Sequence, residues 1–192
     1  MINFANTKFV KSATGSSDTP KDLLPEILIV GKSNVGKSTL INTLTSQTKL
    51  AKTSSKPGHT KLLNYFIVDN KFYLVDAPGY GYANGGVNLD RLFGNMMSDY
   101  FSSCEKLKLV MLLVDSRREF SEHDLEIIDL ANEIKVPLLF VITKCDKINQ
   151  KEKAALLKYL NENDVSLDNV CFVSNSNSKL TNDLKGRIEK YL

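Results

Sequence analysis

The stretch Gly31-Lys32-Ser33-Asn34-Val35-Gly36-Lys37-Ser38 puts four residues between two glycines and follows the second with Lys-Ser. That spacing is a phosphate cradle when a strand enters it and a helix leaves it. Both flanks are present. Ile27-Leu28-Ile29-Val30 is a short apolar, largely β-branched run that reads as a buried strand, and Thr39 to Leu44 spaces its apolar residues as a helix does. Gly31 and Gly36 would let the backbone turn successive N–H groups toward a phosphate at the positive end of that helix. Lys37 would bring a point charge to the β- and γ-phosphates, the Ser38 hydroxyl would ligate Mg²⁺, and nucleotide contacts are expected from Gly31 through Thr39. A glycine-rich turn matching by chance is the alternative. With Gly at about 7% of residues, such a match in a chain of this size is on the order of one per cent.

The 192 residues, 42% hydrophobic and 24% charged, suffice for one well-buried α/β domain and are too few for two ordinary ones. A single domain over 1–192 is expected, with an N-terminal extension at 1–25 and the core at 26–192. Lys and Arg number 25 against 22 Asp and Glu, an excess too small to imply nucleic-acid binding by charge, and no DNA partner is expected. Cys104, Cys145 and Cys171 are odd in number with no metal-like spacing, as in reduced cytosolic proteins. The longest apolar runs, at 109–114 and 138–142, fall far short of the ~20 residues of a membrane helix. The N-terminus has no secretory signature, so a cytoplasmic monomer without membrane insertion is expected.

Phe4 to Val10 reads as an added edge strand, and Gly15 to Pro20 as an exposed loop. Thr48 to Lys61 is polar and lysine-rich, with no core pattern, and reads as a mobile segment. Leu62 to Val68 and Phe72 to Val75 are strand-like runs joined by Asp69-Asn70-Lys71, a turn that suits a hairpin. Tyr80 to Asn88 holds three glycines and reads as a second mobile loop. Leu92, Phe93, Met96, Met97, Tyr100 and Phe101 recur at helical spacing and read as a core face. Leu109 to Val114, Pro137 to Ile142 and Val170 to Val173 are further strands. Helices are expected from an N-cap at Ser121, over Lys151 to Leu160, and over Leu184 to Leu192. The alternation predicts a three-layer α/β fold: a mostly parallel six-stranded sheet with one antiparallel strand and helices on both faces.

In such a sheet ligands bind beyond the carboxyl ends of the strands, where each short polar motif of this chain lies. Asp76-Ala77-Pro78-Gly79 leaves one strand: Asp76 is placed to hold a Mg²⁺-bound water, and the Gly79 N–H to meet the γ-phosphate. Alone it is a common turn, and its position downstream of the cradle favours the chemical reading. Thr143-Lys144-Cys145-Asp146 leaves another strand and resembles the Asn/Thr-Lys-x-Asp motif of GTPases, whose aspartate accepts hydrogen bonds from guanine. Two charge-assisted bonds of ~1.5–3 kcal/mol each would favour guanine over adenine by about 10² to 10⁴. Lys144 would lay its stem along the base, and Cys145 reads as a small filler. Val173, Ser174 and Asn175 stand where a fifth motif would approach guanine O6.

Together with Phe9-Val10-Lys11-Ser12-Ala13, Pro57-Gly58-His59-Thr60 and Asp76 through Tyr82, these motifs resemble the EngB family of Era-type translation-factor GTPases over nearly the whole chain. The resemblance implies a P-loop GTPase fold, GTP and GDP binding with Mg²⁺, and a role in assembly of the large ribosomal subunit, with its rRNA and ribosomal proteins as partners. It also implies a link to cell division and septation. Gly58-His59-Thr60-Lys61-Leu62 would then contact the nucleotide, with Thr60 as the switch threonine that reaches Mg²⁺ and senses the γ-phosphate. Lys37, Thr60 and Gly79 would carry the catalysis, and Ser38, Thr60 and Asp76 the metal. His59 stands where the family more often has Arg or Lys, and Asn175 where a small residue is usual.

Ras-class enzymes orient the attacking water with a glutamine after the Asp-x-x-Gly glycine, and here that residue is Tyr80. Slow intrinsic turnover is therefore expected, raised by a partner's arginine finger or, through the resemblance, by a K⁺ ion associated with Asn34. Lys49, Lys52, Lys56 and Lys61 in the first mobile segment, 48–61, are available to rRNA phosphates, or are merely solvated. Rival readings are a GTP-dependent scaffold of the division machinery with incidental turnover, and an ATPase or nucleotide kinase on the same loop. The 143–146 motif disfavours the second rival.

Overall fold

In the computed structural model the described residues are 2–51, 62–81, 86–174 and 178–192, with backbone alone for 86–89 and 178–180. Seven strands form one sheet in the order β1-β3-β4-β2-β5-β6-β7. They are β1 (Thr7–Ala13), β2 (Glu26–Gly31), β3 (Leu63–Val68), β4 (Phe72–Asp76), β5 (Leu107–Asp115), β6 (Leu138–Thr143) and β7 (Val170–Phe172). Only β3 runs against its neighbours, pairing antiparallel with both β1 and β4. The six expected strands are all present, and β1 adds the edge strand, shifted to begin at Thr7 because Phe4 turns inward against Phe72.

The continuous apolar strands are divided between two cores by the two-residue side-chain period. Ile27 and Ile29 of β2, with Leu109, Met111 and Leu113 of β5, pack under α1 (Lys37–Thr45) and α5 (Ser178–Glu189). Leu28 and Val30, with Val110, Leu112 and Val114, face α2 (Gly86–Ser103), α3 (Glu122–Glu133) and α4 (Gln150–Glu162). The sheet therefore needs helices on both sides. The closing helix begins earlier than expected, at Ser178, and its Leu184 and Ile188 supply the buried face.

Local chemistry sets the ends of the elements. Asp69 and Asn70 both adopt left-handed φ, 51° and 53°, the backbone a two-residue hairpin turn needs, and they join β3 to β4. Ser121 caps α3 in a reciprocal box with Asp124, and Asn149 caps α4 with Glu152 in the same way. Along α2 the stripe holds for Phe93, Met97, Tyr100 and Phe101, but Leu92 is 47% exposed because it falls off the core-facing side of the helix.

The Tyr80–Asn88 reading needs correction. Tyr80 is buried and pairs as a bridge with Lys32, and α2 already begins at Gly86, while 82–85 lie outside the described residues. Of the first expected mobile segment, 52–61 also lie outside them. All three cysteines are free, and among the described residues no helix is long and apolar enough to cross a membrane.

Candidate functional site

The loop between β2 and α1 owes its shape to two glycines with different jobs. A Cβ on Gly31 would lie 2.8 Å from the Leu113 carbonyl oxygen and 3.0 Å from Val35 Cγ1, so this position is dictated by space. Gly36 has a φ of 111° at the N-cap of α1, so there the backbone conformation is the reason. Asn34, exposed at the loop tip, is also left-handed with φ 63°. Ser38 and Thr39 follow in the first turn of α1, half-buried. Lys37 folds back so that its ammonium donates to the Gly31 carbonyl at 3.4 Å. Burial lowers its pKa, and the charge of Asp76 opposes that shift.

Asp76 ends β4 on the other side of this lysine. Burial pushes its carboxyl up to about 6, with Lys37 pulling the other way. Its Oδ1 and the Ser33 hydroxyl are both buried without a hydrogen-bond partner among the described residues. Such orphaned oxygens are costly unless something meets them. Ala77 is anchored by its N–H to the Ile29 carbonyl at 2.9 Å, and Pro78 then carries the chain onto the loop. Gly79 lies so close that a Cβ would sit 2.8 Å from Ser33 Oγ and 3.2 Å from Lys37 Nζ. The Ser33 N–H donates to the Tyr80 carbonyl at 2.9 Å, so the two loops are joined through their backbones.

At the end of β6 the 143–146 segment is fastened to the same loop. The Thr143 hydroxyl donates to the Val35 carbonyl at 2.9 Å, and Lys144 Nζ to the Asn34 carbonyl at 3.0 Å. Lys144, left-handed with φ 58°, also pairs with Asp115 at 2.9 Å, while the Ser116 hydroxyl donates to its carbonyl at 3.0 Å. Asp115 takes both Nε and Nη2 of Arg117, at 2.9 and 2.8 Å. Arg117, then Lys144, hold its carboxyl well below the usual carboxylate range against the opposing effect of burial. Asp146 stands on a short 3-10 turn, Cys145–Lys147, exposed to solvent. Its own backbone N–H, Lys147 at 3.4 Å and the Ser174 hydroxyl at 3.3 Å favour the ionised form.

Cys145 is half-buried with its thiol against the Ile142 carbonyl, and burial raises its pKa, which suits a filler. Val173 is buried, its N–H on the Ile142 carbonyl at 2.8 Å, and so brings Ser174 to Asp146. Leu62, half-buried, precedes β3. Gly58, His59, Thr60, Lys61 and Asn175 lie outside the described residues. The loop, the 76–79 turn and the 143–146 segment are thus brought together at one end of the sheet. Missed from the sequence were the Asp115, Ser116 and Arg117 supports, although an acid closing the β5 apolar run was a visible signal.

Tyr80 was expected at the site as a replacement for glutamine, but its ring is 2% exposed. It packs on Phe93 and His123 with ring centres 5.0 and 5.3 Å away. Its hydroxyl donates to Asp124 in the first turn of α3, a carboxylate also held by Arg118 and Ser121. Burial, then Asp124, raises its pKa, so the phenol stays protonated.

Comparison with known proteins agrees with this arrangement. Residues 26–144 match the 50S ribosome-binding GTPase family. The chain is 42% identical over 184 residues to the probable GTP-binding protein EngB of Lactobacillus gasseri, covering 95% of both chains. It is 46% identical over 152 residues to that of Prosthecochloris aestuarii, covering 79% of each. A crystal structure of a probable GTP-binding protein EngB superposes with TM-score 0.70 at 24% identity, over 86% of this chain and 97% of that one. Era in complex with MgGDPNP and a piece of 16S ribosomal RNA gives 0.64 at 27% identity, over 88% of this chain and 57% of that one. With the Gly31–Ser38 loop, the buried Asp76 and the exposed Asp146 gathered at one end of the sheet, and with relatives 42% and 46% identical over 95% and 79% of the chain, the protein is a GTP-hydrolysing enzyme that belongs to the EngB family of GTP-binding proteins.

Proposed function

We propose that the residues from Gly31 to Thr39 hold the phosphates of GTP and GDP, that Asp146 reads guanine, and that the chain acts as a nucleotide-dependent switch in assembly of the large ribosomal subunit. The observation that carries this is the fastening of Thr143 to the Val35 carbonyl and of Lys144 to the Asn34 carbonyl. These bonds join the base-reading segment directly to the phosphate loop, so a purine and its triphosphate would be recognised together. Val173, Ser174 and Asn175 complete the base side. The 50S ribosome-binding character of the matching family and the ribosomal RNA in the Era structure support a ribosomal partner.

The described donors fit Mg²⁺: hard oxygens from Ser38 and, through water, Asp76, whose buried unpartnered oxygen sits beside Lys37, and Thr60 would add a third. These residues would hold an ion that supplies positive charge to the phosphates. Lys37 places a fixed positive charge there, and the Gly79 N–H reads the terminal phosphate. Tyr80, held by Asp124, contributes no water-orienting group, so turnover by the chain alone is slow. A K⁺ ion near Asn34 is the further element, checked by comparing GTPase rates in K⁺ and Na⁺ buffers with ribosomal particles present.

Calorimetry on nucleotide-stripped protein tests the first half: heat for GTP and GDP and none for ATP is expected, and Asp146→Asn moves preference toward xanthine nucleotides. Unchanged GTP affinity in that variant removes the base assignment. Co-sedimentation tests the second half. Retention on large-subunit particles with a non-hydrolysable GTP analogue and release with GDP is expected. Nucleotide-independent retention would instead favour a scaffold of the division machinery, the reading that Tyr80's engagement away from catalysis also suits. We place the protein in the cytoplasm, as a monomer.

A further inference from the structure

Helices α2 and α3 leave a groove of about 650 Å³ between them, away from the phosphate loop but in contact with Tyr80 through Phe93 and His123. Its floor is apolar, made by Phe93, Met97, Ile127 and Leu130. Its rim carries Asp90, Glu126, Asp129 and Glu133 against Arg91 and His123, so acids outnumber bases among the lining residues. The whole chain carries net charge +3, so this rim is opposite in sign to the molecule around it.

His123 ties the two helices at one end, with Nε2 on Asp90 at 3.3 Å and Nδ1 on Glu126 at 3.0 Å. Asp129 and Glu133, at the other end, have no ion-pair partner among the described residues. Gly94 adds an independent observation. It lines the groove inside the 18-residue α2, and a Cβ there would meet nothing within 4 Å among the described residues. Glycine inside a helix costs about 0.5–1 kcal/mol relative to alanine, and no described contact within the chain requires it here. What the glycine leaves is backbone open to an incoming group.

We propose that this groove docks a basic peptide segment of a protein partner, with apolar side chains between its Lys and Arg residues. The floor accepts the apolar side chains and the unpaired carboxylates accept the cations. Nucleic acid is disfavoured, because an acidic rim repels a phosphate backbone. The inference stands apart from the ribosomal reading, since it needs only the groove.

The test uses the full chain, isotope-labelled for NMR, titrated with a 12-residue peptide that alternates Arg or Lys with Leu or Phe. Shifts are expected to concentrate on Phe93, Gly94, Met97, Ile127 and Leu130. The double variant Asp129→Lys, Glu133→Lys and, separately, the groove-filling Gly94→Trp should each weaken the peptide by about tenfold or more, while both still melt as folded chains. Shifts elsewhere, or undiminished affinity in the folded variants, would overturn the proposal. So would equal or tighter occupation of the same resonances by a Lys-Gly peptide of matched charge or by oligouridylate. Movement of those resonances when the chain alone is concentrated would assign the groove to a second copy instead, and would overturn it too.

Discussion

Replacing Asp76 with Asn should make the nucleotide-stripped protein more stable while disabling it. In the folded chain burial raises the Asp76 carboxyl from 3.8 to about 6. Below 3.8 the group is protonated in folded and unfolded chains alike and nothing is lost. As pH rises from there to 6 the unfolded chain gives up its proton first, so stability falls, and above 6 the full difference persists. Two units amount to about 3 kcal/mol, the cost of carrying that charge in the folded protein at neutral pH. Asparagine keeps the shape and never ionises. The attraction of Lys37 is already contained in that value, so the variant should gain on the order of 2–3 kcal/mol. Urea unfolding at pH 7.5 should show the variant as the more stable protein, with the difference shrinking below about 1 kcal/mol at pH 4. GTP hydrolysis should be lost at the same time. A variant less stable at pH 7.5, or a gain indifferent to pH, would refute the reasoning.

Three other substitutions probe the joints of the site. Gly79→Ala pushes a methyl to 2.8 Å from Ser33 Oγ, so the Ser33–Tyr80 backbone bond should open. Faster amide exchange at Ser33 checks this, and unaltered exchange counts against it. Thr143→Val strands the Val35 carbonyl, and a loss of about 1–3 kcal/mol in affinity should appear for GTP and GDP alike in a fluorescent-nucleotide titration. A loss confined to one of them would mean that the bond serves the γ-phosphate instead of the loop. Tyr80→Phe removes the donor to Asp124, whose other partners Arg118 and Ser121 remain, so about 0.5–1.5 kcal/mol of stability should go. The intrinsic GTPase rate should stay as slow as before, and a large rise would return the phenol to the catalytic account.

The sheet and its helices were legible because most inner strands hold a continuous apolar run and the helices a periodic one, patterns that follow from burial on two faces and on one. The runs at 27–30 and 109–114 were placed from their own residues, and the strands extend past them to Glu26–Gly31 and Leu107–Asp115. The site was legible where a motif carries its own chemistry, as at 31–38 and 143–146. Tyr80 was not, because a tyrosine among glycines looks exposed until Phe93, His123 and Asp124, distant in sequence, are brought around it. The same holds for Arg117, whose grip on Asp115 matters only once Lys144 from the next strand is leaning on that carboxylate.

The site uses one residue type in three ways, and burial with neighbours decides which. Asp76 is enclosed, with a single lysine near and one oxygen unmet, so its charge is held at a cost that a cation would relieve. Asp115 is clasped by Arg117 and Lys144, so its charge is already answered; it works as a strut that fixes the lysine lying along the phosphate loop. Asp146 is open to solvent and kept ionised by its own backbone N–H and by Lys147 and Ser174, which leaves carboxylate lone pairs free to accept from a base edge. Exchanging any of these environments would change the function without changing the side chain. For that reason an aspartate at the end of a strand is informative only together with what surrounds it.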